Sequence, residues 1–190
     1  MAQDHDDLLT FADEDVAEHR TAESGGKWQV LIVDDEQEVH KVTKLVLRDF
    51  SFLGREASFI SAYSAEEAQK VLADNVEIAL ILLDVVMESE HAGLELVEHI
   101  RERLNNQKVR IILRTGQPGQ APERDVFLRY DINDYKSKAE LTAAKLFTSL
   151  ISNLRTYRNL LTIEEQTRRG IEQALRARRD EAKILEVTTA

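Results

Sequence analysis

The 190-residue chain has no cysteine, which excludes disulfides and thiolate metal sites. It has only two prolines, and neither lies beyond Pro122, so the C-terminal third is free to form continuous helix. No apolar run approaches the ~20 residues of a membrane span. The N-terminus lacks the basic-then-apolar order of a secretory signal. These absences predict a soluble cytoplasmic protein with no membrane partner. Basic residues are also in deficit: Lys and Arg number 25 against 35 Asp and Glu, for a net charge of −10. Such a balance argues against a nucleic-acid partner, which calls for a basic stripe.

A hydrophobic content of 43% is enough for a core, so wholesale disorder is not expected. The acid is unevenly spread. Residues 1–26 carry eight acids against one arginine and end in Ser24-Gly25-Gly26, the composition of a disordered tail and hinge. Leu8–Phe11 is its one candidate docking helix.

From Trp28 onward, strand-length apolar runs alternate with helical periodicity, the pattern of βαβ units. The runs are Val30–Val33, Ser58–Ala62, Ile78–Leu83 and Val109–Leu113, with a weaker one at Tyr135. Runs apolar on both faces predict parallel strands covered by helices. Helical stripes fall between them: Val39, Val42, Val46 and Phe50; Ala65, Ala68 and Leu72; Leu94, Val97, Ile100 and Leu104. Ser64 and Glu67 form a capping box. Residues 122–130 read as a short fourth helix.

Beyond Ala139 the chain reads as one helix to about Val187. With Phe147 as position a, nine of twelve a and d positions are apolar, which predicts a coiled coil and a homodimer. Glu164 and Arg168 interrupt the seam, either setting register or marking its end. At ~1.5 Å per residue the helix is about 70 Å long, and a lone rod of that length calls for a partner.

Chemistry concentrates at the strand ends. Asp34 and Asp35 close the run QVLIVDD, and Asp84 closes ALILLD. Carboxylates at the carboxyl ends of parallel strands stand where open α/β sheets build their sites. Alone, an Asp pair there is more often a helix cap, Thr115 before Gly116 is ordinary turn chemistry, and Lys138 is one solvated lysine among several.

Taken together, VLIVDDE, ILLDVVM, RIILRTG and NDYKSK, in this order and spacing, resemble the receiver domain of two-component response regulators over roughly residues 27–154. The resemblance implies a flavodoxin-like, doubly wound, five-stranded parallel sheet of order 2-1-3-4-5, followed by the C-terminal helix at 155–190. It implies that Asp84 is the phosphoacceptor and that Mg²⁺ is held by Asp35, Asp84 and the Val86 carbonyl, with Asp34 acting through water. Thr115 and Lys138 would contact the phosphoryl group, and Thr115 with Tyr135 would form the switch. Lys136 is a rival for Lys138, although the aromatic three residues earlier favours Lys138. A sensor histidine kinase or phosphotransfer protein would supply the phosphate. No enzymatic activity beyond self-phosphorylation and self-dephosphorylation is expected. A phosphatase of the haloacid dehalogenase type would need an acid where Val86 stands.

This sequence departs from the family pattern at three places. Ala139 follows the lysine where a proline is usual. Glu88 replaces another proline, in a loop about one residue longer. Arg114 puts a charge beside Thr115, as a surface residue or as an ion pair near the acids; the sequence leaves both open. The segment GQPGQAPER lacks the Gly-Lys-Ser/Thr ending of a P-loop. His40, His91 and His99 read as surface or helix-face residues. The ending EAKILEVTTA reads as a helix entering a further domain, and the overall style is similar to receivers joined to cyclic-nucleotide enzymes or kinases. The alternative is a stand-alone dimeric receiver acting as a scaffold.

Overall fold

The computed structural model describes residues 26–74, 77–116, 123–140 and 142–188, with side chains to residue 179 apart from that of Glu140. The acidic leader through residue 25, with the candidate docking helix Leu8–Phe11, and residues 117–122 lie outside the described residues. The elements run β1 (Trp28–Val33), α1 (Gln37–Val46), β2 (Ser51–Phe52), β3 (Arg55–Ala62), α2 (Ala65–Ala73) and β4 (Ile78–Asp84). They continue with α3 (Ala92–Glu98), β5 (Arg110–Thr115), α4 (Glu123–Arg129), β6 (Asp134–Ser137) and α5 (Ala143–Thr188).

The sheet has six strands, not five, in the order β2-β3-β1-β4-β5-β6. The additional strand is β2, paired antiparallel to β3, while all other pairings are parallel. Without it, the parallel strands keep the expected 2-1-3-4-5 sequence. Leu53 and Gly54, both at positive φ, make the tight turn of this hairpin. The Trp28 indole N–H donates to the Phe52 carbonyl (3.0 Å) and fastens β2 to the start of β1.

Alternation along the strands feeds two cores. Val30, Ile32, Leu80, Leu82 and Ile112 face α1 and α5, where Leu47, Leu146, Leu150 and Leu154 meet them. Leu31, Val33, Ile81, Leu83 and Leu113 face α2, α3 and α4. β4 is buried along its whole length, as a central strand covered on both faces must be.

Two helical stripes differ from expectation. On α1, the buried side carries His40 and Thr43, followed by Leu47 and Phe50; Val42 and Val46 are exposed. Both faces have helical spacing. The mixed face turns inward because its polar groups find buried partners there. After α3, residues 99–103 form a π turn. Its extra residue rotates Leu104 out to 41% exposure and brings Arg101 in, where the guanidinium donates to the carbonyls of Val109 and Asp131. Asn105, at φ 48°, then ends the turn in the left-handed region.

α5 spans 46 residues. Leu150, Leu154 and Tyr157, expected in the coiled-coil seam, are buried on the chain's own sheet, and Leu161 packs partly against the same cluster. Lys108 pairs with Glu164 at 2.8 Å, the last tie to the body among the described side chains. Beyond it Ile171 and Leu175 are exposed, while Arg168 and Arg169 pair within the helix to Glu165.

Candidate metal and phosphoryl site

Asp34 follows the last residue of β1, and its N–H continues the ladder to the Ala62 carbonyl (3.2 Å). Asp84 is the last residue of β4. Because β1 and β4 are parallel neighbours in register, Val33 beside Leu83, their carboxyl ends deliver the acids to one place. One carboxylate oxygen from each of Asp34, Asp35 and Asp84 lies within 4.8 Å of the others. Asp34 and Asp84 are buried, whereas Asp35 is exposed. Three hard oxygen donors, one of them on the exposed Asp35, fit Mg²⁺, which retains several waters.

Lys138 stands over the cluster. Its Nζ lies 2.7 Å from Asp84, 3.1 Å from Asp34 and 3.3 Å from Glu36. Lys136 instead pairs with Asp134 at 2.9 Å, so Lys138 is the lysine at the acids. Thr115 ends β5 and is buried; a side-chain hydrogen bond joins it to Tyr135, also buried, on β6. Val86 sits two residues after Asp84 and is partly buried.

Burial pushes the Asp84 carboxyl above its ordinary value; Lys138 and the Val85 N–H (2.8 Å) oppose this, and the charge on Asp34 adds to it. Burial works to lower the Lys138 pKa, but the hydrogen bond and charge of Asp84, with Asp34, hold it above the usual lysine value. Both directions follow from geometry: burial outweighs the one ammonium that reaches Asp84, while that ammonium is held by Asp84 and Asp34 together.

Several residues that shape the site carried no clear signal in the sequence. His40 is buried, not superficial. Its Nε2 donates to the Asp34 carbonyl (2.7 Å), which can only accept, and Nδ1 is hydrogen-bonded to Ser61 Oγ (2.8 Å), as the acceptor when the ring is neutral. Glu88, in place of the usual proline, accepts from the Ala65 N–H (2.8 Å) and ties the loop after Asp84 to the start of α2. There Ser64 Oγ accepts from the Glu67 N–H (3.1 Å), while Glu67 reaches back to the Tyr63 N–H (2.7 Å). Gly93 packs directly on the Asp84 backbone. Arg114 turns inward, only 2% exposed. It donates to Thr43 Oγ1 at 3.0 Å and to Asp34 at 3.5 Å.

Residues 30–150 match the response regulator receiver domain family. The chain belongs to that family. The chain is 55% identical over 139 residues to 3′3′-cGAMP-specific phosphodiesterase 2 of Vibrio cholerae serotype O1, a match covering 73% of this chain and 27% of the relative. This chain thus spans about a quarter of that protein. Among solved structures, it is similar to the signal receiver domain of an HD domain-containing protein from Pseudomonas fluorescens Pf-5. That match has a TM-score of 0.63 and 19% identity, and covers 73% of this chain and 94% of the other. An adenylate cyclase from Rhodopirellula baltica superposes with a TM-score of 0.64 at 15% identity, covering 75% and 98%. At these identities the two structures bear on the receiver fold alone.

Proposed function

We propose that this receiver takes a phosphoryl group on Asp84 and passes the change to an effector through α5. The observation that carries the reading is the meeting of Asp34, Asp35 and Asp84 within 4.8 Å beneath Lys138. An Asp84 oxygen attacks phosphorus as the bond to a histidine imidazole nitrogen of a sensor kinase or phosphotransfer protein breaks; the imidazole leaves and an acyl phosphate remains. Mg²⁺ held by Asp35, Asp84 and the Val86 carbonyl, with Asp34 through water, would neutralise charge on the phosphoryl oxygens. Lys138 exchanges its carboxylate partner for a phosphoryl oxygen, and the Thr115 hydroxyl donates to another. Because the Thr115 hydroxyl has one proton, donating it to the phosphoryl group ends its donation to Tyr135, and that exchange couples the event to β6 and the adjoining face.

Lys138→Ala is expected to slow labelling by acetyl phosphate about a hundredfold, the scale of losing one charged donor. Lys136→Ala, which loses only a surface pair, stays within about twofold. Equal effects, or the reverse order, would remove Lys138 from its role.

The part of α5 beyond Glu164 carries the proposed homodimer. Since Leu150, Leu154 and Tyr157 are committed to the sheet, pairing falls to the helix beyond Glu164. A chain ending at Gln166 is expected to remain folded and monomeric by light scattering, against a dimer for residues 1–190. A full-length monomer would exclude pairing through α5.

The likeness to a quarter of a 3′3′-cGAMP phosphodiesterase supports a cyclic-dinucleotide enzyme as the effector, over a stand-alone scaffold. Joining this receiver to the phosphodiesterase part of that relative tests the point. Hydrolysis should respond to acetyl phosphate and lose that response in Asp84→Asn; a fusion indifferent to acetyl phosphate contradicts the reading.

A further inference from the structure

Arg114 is a guanidinium buried beneath the acid cluster, and its Nε has no hydrogen-bond partner among the described residues. A buried cation with incomplete hydrogen bonding carries a desolvation cost that only nearby charge offsets. Here that charge is Asp34, at 3.5 Å, with Asp84 adding to the field. Arg114 is anchored from the far side by Thr43 of α1 at 3.0 Å. The acids therefore meet two cations, Lys138 from above and Arg114 from below.

We propose that Arg114 is a built-in counter-cation of the acid cluster, competing with the divalent cation for Asp34 and weakening its binding. Three carboxylates facing Lys138 alone would crowd one another and draw a dication strongly. Arg114 already offsets part of that charge, and its side chain is far more deeply buried than that of Lys138, 2% exposed against 22%. It is a positioning and tuning residue, with no contact to the phosphoryl group required. The inference rests on the reading of these acids as a magnesium site.

The test is calorimetric titration of MgCl₂ into the full chain, without phosphodonor. Arg114→Met and Arg114→Gln, both uncharged, are expected to bind Mg²⁺ on the order of tenfold more tightly. Arg114→Gln, which keeps donors toward Thr43, serves if Arg114→Met does not fold. Arg114→Lys, which keeps the charge, should stay within about threefold of wild type. The rise in melting temperature on adding Mg²⁺ should be larger in the uncharged variants, because tighter binding stabilises more at a given concentration. Unchanged or weaker binding in the uncharged variants overturns the inference; weaker binding would make Arg114 an organiser of Asp34. Absence of magnesium binding in every form, wild type included, would overturn the magnesium-site reading as well. An unchanged constant with normal wild-type binding overturns this inference alone.

Discussion

Asp84→Asn is expected to gain no phosphoryl mass from acetyl phosphate and magnesium under conditions in which wild type gains one. The amide keeps the shape of the side chain but is too poor a nucleophile to form an acyl phosphate. The variant should also be well folded. The wild-type carboxyl is 4% exposed and its folded-state pKa is raised, so the folded chain holds that proton more tightly than the unfolded chain. Stability is therefore lost as pH rises through the raised value, and the loss is complete above it. In magnesium-free buffer near neutrality, Asp84→Asn escapes that cost and should melt higher than wild type. The advantage should shrink as pH falls toward 3.8, the ordinary carboxylate value. Added Mg²⁺ should stabilise wild type more than the variant. Labelling that persists in a folded Asp84→Asn protein would remove Asp84 from its proposed role.

The second large effect is structural. A Cβ on Gly93 would overlap the Asp84 carbonyl oxygen and lie 2.9 Å from both the Asp84 carbonyl carbon and Val85 Cα. These are backbone atoms at the end of the central strand and cannot swing aside. Gly93 also donates its N–H to the Val85 carbonyl at 3.1 Å, so α3 cannot retreat without losing that bond. Gly93→Ala is expected to cost about 3 kcal/mol or more. That corresponds to a fall of roughly 6–12 °C in Tm for a domain of this size. Since the displaced backbone carries Asp84, phosphorylation should fall with it. Gly170→Ala is the matched control: the space around Gly170 is open, and alanine there should be neutral or stabilising by up to ~1 kcal/mol. Equal melting temperatures for Gly93→Ala and wild type would show that the contact relaxes freely.

Buried strands are readable because they leave long apolar runs. β1 and β4 were legible for that reason, and with them the positions of Asp34, Asp35 and Asp84. Thr115 and Lys138 followed from order and spacing, and the structure brings Lys138, not Lys136, to the acids. β2 is only two residues long, too short to carry a periodicity. On α1 the valine face looked like core because hydropathy gives no credit to a buried histidine or threonine with satisfied hydrogen bonds. Val39, Val42 and Val46 instead border a cavity of about 260 Å³ between α1 and α5. Leu104 was misplaced because a π turn shifts helical phase without a composition signature. The inward turn of Arg114 depends on Asp34 and Thr43, 80 and 71 residues away in sequence, which no local pattern reports. The heptad count over α5 merged two apolar faces, one for the chain's own sheet and one beyond it.

The central claim is that one carboxylate among several crowded acids accepts the phosphoryl group. Borohydride reduction of the acetyl phosphate-treated wild-type chain, followed by peptide mass mapping, tests it most directly, because an aspartyl phosphate is reduced to homoserine. Homoserine is expected at position 84 alone. Homoserine at 34 or 35, or phosphate found only on a hydroxyl side chain, would contradict it.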